Sequence, residues 1–198
     1  MDLSICIPTL NASLYLKACL DSVITFTQGI SYELIVVDNG SVDDTVAMLE
    51  RDFPEAVLIR NATNLGFTRP MNQALRLAQG DYMLSLNPDT LLQEDVFGPQ
   101  IAYLRANPEV GISIPKVLNG DGSFQRQCRR GEATALEAFG YHLRLGKLFP
   151  KSKTLNGYLQ AWLPEDEIAE VKAVSGSCMF ITRACLEAVG EFDEKIFA

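Results

Sequence analysis

Residues 33–46 read ELIVVDNGSVDDTV. A short apolar run rich in β-branched residues stops at Asp38, and Asn39–Gly40 then turn the chain. Two acids follow, and residues 43–51 carry a helical pattern. A continuous apolar run of this length suits a strand buried on both faces, as in the middle of a parallel sheet. The same alternation recurs on either side. LSICI (3–7), AVLI (56–59), DYMLSL (81–86), VGISI (110–114) and VSGSCMFI (174–181) read as strands. Helices are predicted over 13–26, 43–51, 67–79, 91–106 and 182–189, with Leu16, Cys19, Leu20, Val23 and Ile24 on the buried face of the first. Gly80 is read as the residue that ends the third helix and Gly190 as the stop of the last. Strands alternating with helices imply right-handed crossovers and a mostly parallel sheet, an α/β fold.

In open sheets of this kind ligands collect at the carboxyl ends of the strands. Four loops lie there: Pro8–Asn11, Asp38–Ser41, Asn64–Phe67 and Asn87–Asp89. Each has a plain structural reading. Asp38 makes an Asx turn, with Ser41 as N-cap of the next helix and Asp44 completing a capping box. Gly66 is turn chemistry, and Pro70 suits a helix first turn. Pro88 forces Asn87 out of the helical region, and Thr90 with Gln93 caps the helix over 91–106, whose N-terminus Asp89 favours by charge. Each also has a chemical reading. Asp38 at a strand tip accepts from a pyrimidine N3–H or a ribose hydroxyl. Arg69 and Asn72 stand near a helix N-terminus, where a diphosphate binds well. A carboxylate at Asp89, beside the Asn87 amide, suits a hard cation that takes one or two carboxylates plus substrate phosphates and waters.

Composition removes other classes. The chain has 198 residues and a formal charge of −8, against a general nucleic-acid binder. Charge is uneven: Arg126–Lys153 holds seven Lys/Arg and two Glu, a local +5, which leaves −13 elsewhere. That segment reads either as a solvated linker or as a surface drawn to anionic lipid headgroups, with Phe139, Tyr141, Leu145, Leu148 and Phe149 entering the interface. The five cysteines show no zinc spacing and suit a reduced, cytosolic protein. MDLSICIPTLN lacks the basic start of a signal peptide. His142 is far from any serine or cysteine motif, which disfavours a hydrolase triad. The chain has neither G-x-G-x-x-G nor a Walker A loop.

Taken together, SICIPTLN, ELIVVDNGSVDDTV, NLGFTRPMNQAL, GDYMLSLNPDT and VSGSCMFITRACLEAVGEFDEKIF resemble the family 2 glycosyltransferases of GT-A fold. The resemblance is greatest to a bacterial rhamnosyltransferase-like branch, which has Asn-Pro-Asp in place of Asp-x-Asp and a DGS…RR segment, here at Asp121–Arg130. It implies a Rossmann-like nucleotide-sugar-binding half over 1–115 and an acceptor-side half over 116–198. It further implies inverting transfer from a nucleoside-diphosphate sugar to a saccharide or lipid-linked saccharide acceptor, at the cytoplasmic face of a membrane. Thr9, Asn11 and Asp38 would hold the nucleoside, with Asn39 and Ser41 shaping the loop. Asn64, Gly66, Asn72 and Arg69 would line the sugar-diphosphate side. Asn87 and Asp89 would hold Mg²⁺ or Mn²⁺, and Ser175 and Gly176 would face sugar and acceptor. The family's base, the Asp of a Glu-Asp pair, is expected beyond Ala198, with Asp193 and Glu194 structural. A non-catalytic sugar-nucleotide-binding module is the first rival. A sugar-nucleotide pyrophosphorylase is the second, though its Gly-rich first loop has no counterpart here.

Overall fold

The computed structural model describes residues 1–131, 160 and 162–195. Among them the elements are β1 (Leu3–Thr9), α1 (Ser13–Phe26), β2 (Tyr32–Asp38), α2 (Thr45–Asp52), β3 (Val57–Arg60), α3 (Thr68–Leu77), β4 (Tyr82–Leu86), α4 (Phe97–Ala106), β5 (Ile112–Ser113), β6 (Arg129–Arg130), β7 (Ala173–Val174), β8 (Cys178–Thr182) and α5 (Arg183–Val189). They form two compact units, Met1–Ser113 with Gly176–Ala198, and Ile114–Ser175.

The first unit is built on a six-stranded sheet in the order β3-β2-β1-β4-β8-β5. Neighbours among β1 to β4 are parallel, and β8 runs antiparallel between β4 and β5. Leu3, Ile5, Cys6 and Ile7 of β1 and Ile35, Val36 and Val37 of β2 are fully buried, as continuous apolar central strands should be. Leu16, Cys19, Leu20 and Val23 of α1 and Met71, Ala74 and Leu75 of α3 lie in the core with them. Ile24, expected on the buried stripe, is half exposed. It follows Val23 by one residue, about 100° around the helix, and so leaves the face.

Three predicted boundaries move, each for a local reason. The helix expected over 91–106 begins at Phe97. Leu92 is buried and its N–H donates to Ser22 Oγ (3.1 Å), while Asp95 accepts from Gly98 N–H (3.0 Å) and starts the helix there. The Thr90–Gln93 capping box therefore does not form, and Thr90 Oγ1 donates to the Ser177 carbonyl (3.4 Å). Ser41 does not cap α2: its hydroxyl accepts from Asn11 N–H, and Asp43 takes the Thr45 N–H (3.0 Å). Gly80 does not end α3 in a left-handed conformation. It is needed because a Cβ there would stand 2.7 Å from Ser4 N and 2.8 Å from Leu3 C on the adjoining strand.

The stretch VSGSCMFI proves to be two strands. Residues 173–174 pair with Arg129–Arg130 in the second unit, and residues 178–182 enter the main sheet, where Phe180 meets Phe97 edge-on at 5.7 Å. The two compact units do not follow the division expected at 115/116. The chain leaves the first unit after Ser113 and returns to it at Gly176, because β8 completes the sheet between β4 and β5.

The second unit contains a hairpin turn around Asn119–Gly122. Asn119 N–H donates to Ser123 O (2.8 Å), Gly122 N–H to Asn119 O (2.9 Å), and Gly122 holds φ +81°. Phe124 packs against the Arg129 guanidinium at 4.8 Å, and Arg129 donates to the carbonyls of Leu163 (2.6 Å) and Pro164 (2.8 Å).

All five cysteines are free. Burial pushes the thiols of Cys6, Cys19 and Cys178 up to about 12, and that of Cys128 upward too. Only thiolate reacts quickly. With Ellman's reagent at pH 8 the native protein is expected to titrate one fast thiol, Cys185, and all five in guanidinium. Cys185→Ser should remove the fast phase.

Candidate functional site

The strand order sets β2, β1 and β4 side by side, so the loops after Asp38, Thr9 and Leu86 emerge as neighbours. At roughly 4.8 Å per strand the first and last of these ends stand about 10 Å apart. Thr9 and Asp38 are Cα partners in the β1–β2 register, and both are only 3% exposed. The Asp38 carboxylate accepts from the N–H groups of Gly40 (3.3 Å) and Ser41 (3.2 Å), an Asx turn at the strand tip. Thr9 Oγ1 is buried with no partner among the described residues. A buried hydroxyl in that state is costly unless something arrives to bond it.

The first two loops are clasped together. Asn11, held at φ +49°, accepts from Val42 N–H through its side chain (2.9 Å) and donates its own N–H to Ser41 Oγ (2.8 Å). Asn39 N–H donates to Thr9 O (2.8 Å). The clasp uses the Asn11 amide oxygen and one lone pair of Ser41, so both side chains shape the loops.

Asn39 is the hub of the next junction. Its Nδ2 donates to Asn64 Oδ1 and Gly66 O, both at 2.8 Å, and its Oδ1 accepts from Leu65 N–H (3.0 Å) and Asn61 Nδ2 (3.4 Å). A primary amide has four bonding positions, and all four are used. Asn61 in turn exchanges two hydrogen bonds with Gln73 of α3, at 2.9 and 3.0 Å. Asn61 and Gln73 were not legible as site residues. Asn61 follows a strand and Gln73 sits within a helix, and only their juxtaposition makes them a pair. Gly40, at φ +89°, lets this loop pass Thr63, whose Cα a Cβ would meet at 3.1 Å.

α3 carries two predicted donor-site residues, and the structure separates them. Asn72 is fully buried. Its amide donates to Phe192 O (2.9 Å) and Glu194 Oε1 (3.1 Å) and accepts from Phe192 N–H (3.0 Å). It tethers a segment 120 residues away, so its amide is occupied by the protein. Arg69 is exposed, with Nε 3.8 Å from Glu194. The Asn72 amide, with Arg76 and Arg69 behind it, holds the Glu194 carboxyl below the usual carboxylate range. Asp193 accepts from Lys195 N–H (3.0 Å).

At the end of β4 the backbone makes a tight turn, with Thr90 N–H donating to Asn87 O (3.2 Å). Cys19 Sγ lies 3.8 Å from the same carbonyl, and Asn87 N–H donates to Ser177 O (2.9 Å). The Asp89 side chain is exposed, and α4 begins eight residues later, too far to be charged by it. Ser85, fully buried, donates to Gly176 O (2.7 Å), and a Cβ at Gly176 would meet Phe67 Cζ at 3.3 Å, a tight contact. Ser175 lies in the second unit, where its N–H donates to Cys128 O (2.9 Å).

No group of three or more His, Cys, Asp or Glu that could cage a metal ion occurs among the described residues. The donor set is a lone carboxylate with an amide beside it. That fits Mg²⁺ or Mn²⁺ held mostly by phosphate oxygens and water, and does not fit a preformed protein cage.

Of the basic segment Arg126–Lys153, residues 132–153 lie outside the described residues, with His142 among them. Arg126 is ion-paired with Glu165 at 2.7 Å and Arg129 is buried, so these two are not free for lipid headgroups. No helix among the described residues is long and apolar enough to cross a membrane.

This sheet, with nucleotide-compatible side chains gathered on its carboxyl edge, is the GT-A glycosyltransferase fold. The chain belongs to glycosyl transferase family 2, whose model matches residues 4–165. It is 26% identical over 175 residues to the N-acetylglucosaminyl-diphospho-decaprenol L-rhamnosyltransferase of Mycobacterium tuberculosis, covering 83% of this chain and 56% of that protein. The chain thus spans about half the length of this curated relative. Among solved structures, S. aureus TarS 1-349 in complex with UDP superposes with a TM-score of 0.67 at 18% identity, over all of this chain and 52% of that one. The Pyrobaculum calidifontis mannosyltransferase in complex with GDP-Man and Mn²⁺ gives a TM-score of 0.67 at 19% identity, over 98% of this chain and 48% of that one.

Proposed function

We propose that this chain binds the nucleoside-diphosphate sugar of an inverting glycosyltransferase that builds a cell-envelope saccharide. The observation that carries the reading is the adjacency of three strand ends. Asp38 and its neighbour Thr9, whose buried hydroxyl has no partner among the described residues, lie on the same sheet edge as the exposed turn at Asp89, with the ends of β2 and β4 about 10 Å apart. A nucleoside diphosphate laid along that edge puts its base and ribose at Thr9 and Asp38 and its phosphates at Asn87–Asp89. The Asn11–Ser41 clasp holds the nucleoside loop, while Asn64 and Gly66 flank the phosphates and Arg69 offers an exposed cation beside them.

Asp89 and Asn87 would hold the divalent cation, which when bound stabilises the charge that the leaving diphosphate acquires. Transfer itself asks for a positive anomeric centre to be met by an acceptor hydroxyl on the opposite face, the geometry that inverts configuration. Gly176, whose carbonyl accepts from Ser85, would face the sugar.

Support comes from the family and from relatives' names. One relative is named for rhamnosyl transfer onto a lipid diphosphate, and two neighbours of the same fold hold UDP, or GDP-mannose with Mn²⁺. Rhamnose on a nucleoside diphosphate is therefore the first donor to try, with a saccharide or lipid-linked saccharide as acceptor, at the cytoplasmic face of a membrane.

Ligands that bind only the folded state raise its melting point. A thermal-shift series of UDP, GDP, dTDP and CDP with and without Mn²⁺ is expected to give at least one metal-enhanced shift of several degrees. Flat traces for every nucleotide would remove the reading.

A further inference from the structure

We infer that Gln73, acting through Asn61 and Asn39, is a positioning residue for nucleoside recognition. The inference rests on the nucleotide reading above and gives roles to Gln73 and Asn61, neither of which that reading uses. Three side-chain amides form a directed relay. Gln73 Nε2 donates to Asn61 Oδ1 and Gln73 Oε1 accepts from Asn61 Nδ2, so the two amides meet edge to edge like a base pair. The same Asn61 Nδ2 reaches Asn39 Oδ1, and Asn39 Nδ2 ends on Asn64 Oδ1 and Gly66 O.

No amide in this relay has freedom to flip. Asn39 Oδ1 faces the backbone N–H of Leu65 and its Nδ2 faces a backbone carbonyl, which fixes which end is which. That choice obliges Asn61 to present Nδ2 to Asn39. Gln73 must then present its oxygen to Asn61 Nδ2 and its nitrogen to Asn61 Oδ1. The backbone locks the relay at a second point, where Asn61 N–H donates to Asp38 O (2.8 Å).

The consequence falls on Asp38. Its carbonyl is tied to Asn61 and its successor Asn39 is saturated by the relay, so the peptide carrying the Asp38 carboxylate has its rotation set from α3. A helix is a stiff reference, and a loop hung on it by two amide bonds inherits that stiffness. The Asx turn of Asp38, with bonds of 3.2 to 3.3 Å, is no firmer than the 3.4 Å link from Asn61 to Asn39, and the shortest tie on this peptide is the 2.8 Å bond from Asn61 N–H to the Asp38 carbonyl.

The test uses Gln73→Glu, which keeps the shape but puts a carboxylate oxygen against Asn61 Oδ1, and Gln73→Ala as a second variant. The dissociation constants of UDP, GDP, dTDP and CDP with Mn²⁺ are measured by calorimetry at a temperature where circular dichroism shows each variant folded. The informative quantity is the ratio between the weakest and the tightest nucleotide, since a partly unfolded sample lowers all affinities by one factor and leaves that ratio alone. The expected result is about tenfold weaker binding of the preferred nucleotide and a base preference reduced at least threefold, in both variants. An unchanged ratio, with or without a lower melting point, makes the relay merely structural and overturns the inference. A wild-type protein that binds none of the four overturns the nucleotide reading first, and this inference with it.

Discussion

Asp89→Ala is expected to abolish the Mn²⁺-dependent part of nucleoside-diphosphate binding while leaving a smaller metal-free part and an unchanged fold. From sequence, two accounts of Asp89 competed: a helix N-terminal charge and a metal carboxylate. The helix begins at Phe97 and not at residue 91, so the first account has lost its helix. What stands there is an exposed carboxylate after a proline, on a turn closed by Asn87 O and Thr90 N–H. With no second carboxylate beside it, the cation would depend on the nucleotide for most of its ligands. Metal affinity without nucleotide is therefore expected to be weak, and the loss on substitution large. A metal contact of about 3 kcal/mol is a factor of roughly 100 in affinity. Calorimetry of UDP and GDP with and without Mn²⁺ measures it, with Asp89→Asn separating charge from shape. Equal Mn²⁺ enhancement in wild type and variant would take the metal away from Asp89.

Asn39→Ala is expected to cost stability as well as binding. The side chain is 4% exposed and makes four hydrogen bonds, so its removal takes their side-chain partner from Leu65 N–H and Gly66 O and one bond each from the Asn61 and Asn64 amides. Each bond of this kind contributes on the order of 1 kcal/mol, and buried groups left unsatisfied add to that, so about 3 kcal/mol is expected. For a chain of this size that lowers the melting temperature by roughly 6–12 °C. Asn39→Asp should be no milder, since a carboxylate oxygen would then face Gly66 O and Asn64 Oδ1. A melting point within 2 °C of wild type, or so, would mean that water replaces the amide and that the loops are held elsewhere.

The two residues had unequal visibility in the chain. Asp38 and Asn39 sit where an apolar run stops, and the rule that ligands gather at strand ends picks them out. The same rule does not reach Gln73, which sits within α3, and it does not show that Asn61, just past the end of β3, pairs with it. Asn72 shows the converse. It looked like a ligand group near a helix N-terminus, yet its amide is buried against Phe192 and Glu194. A residue's distance along the chain from its partner, 120 positions in that case, is what pattern reading cannot supply. Ser41 and Thr90 failed for a related reason. Both are good local caps, but each hydroxyl bonds to a distant residue instead, Ser41 to Asn11 and Thr90 to Ser177.

Sequence by itself determined the alternating strands and helices, the parallel centre of the sheet and the four loops on its carboxyl edge. Those follow from short-range physics: β-branched apolar runs, helical periodicity, and Gly, Pro and Asx residues at the breaks. The tertiary structure decided that β8 enters antiparallel between β4 and β5, that the chain divides after Ser113 and returns at Gly176, and which polar side chains remain open to a ligand. Hydrogen-bonding groups take whichever partner the fold brings near, and burial makes that choice binding. Asn11, Asn39 and Asn72 are therefore held by the protein, whereas Thr9 Oγ1 has no partner among the described residues and Asp89 is exposed.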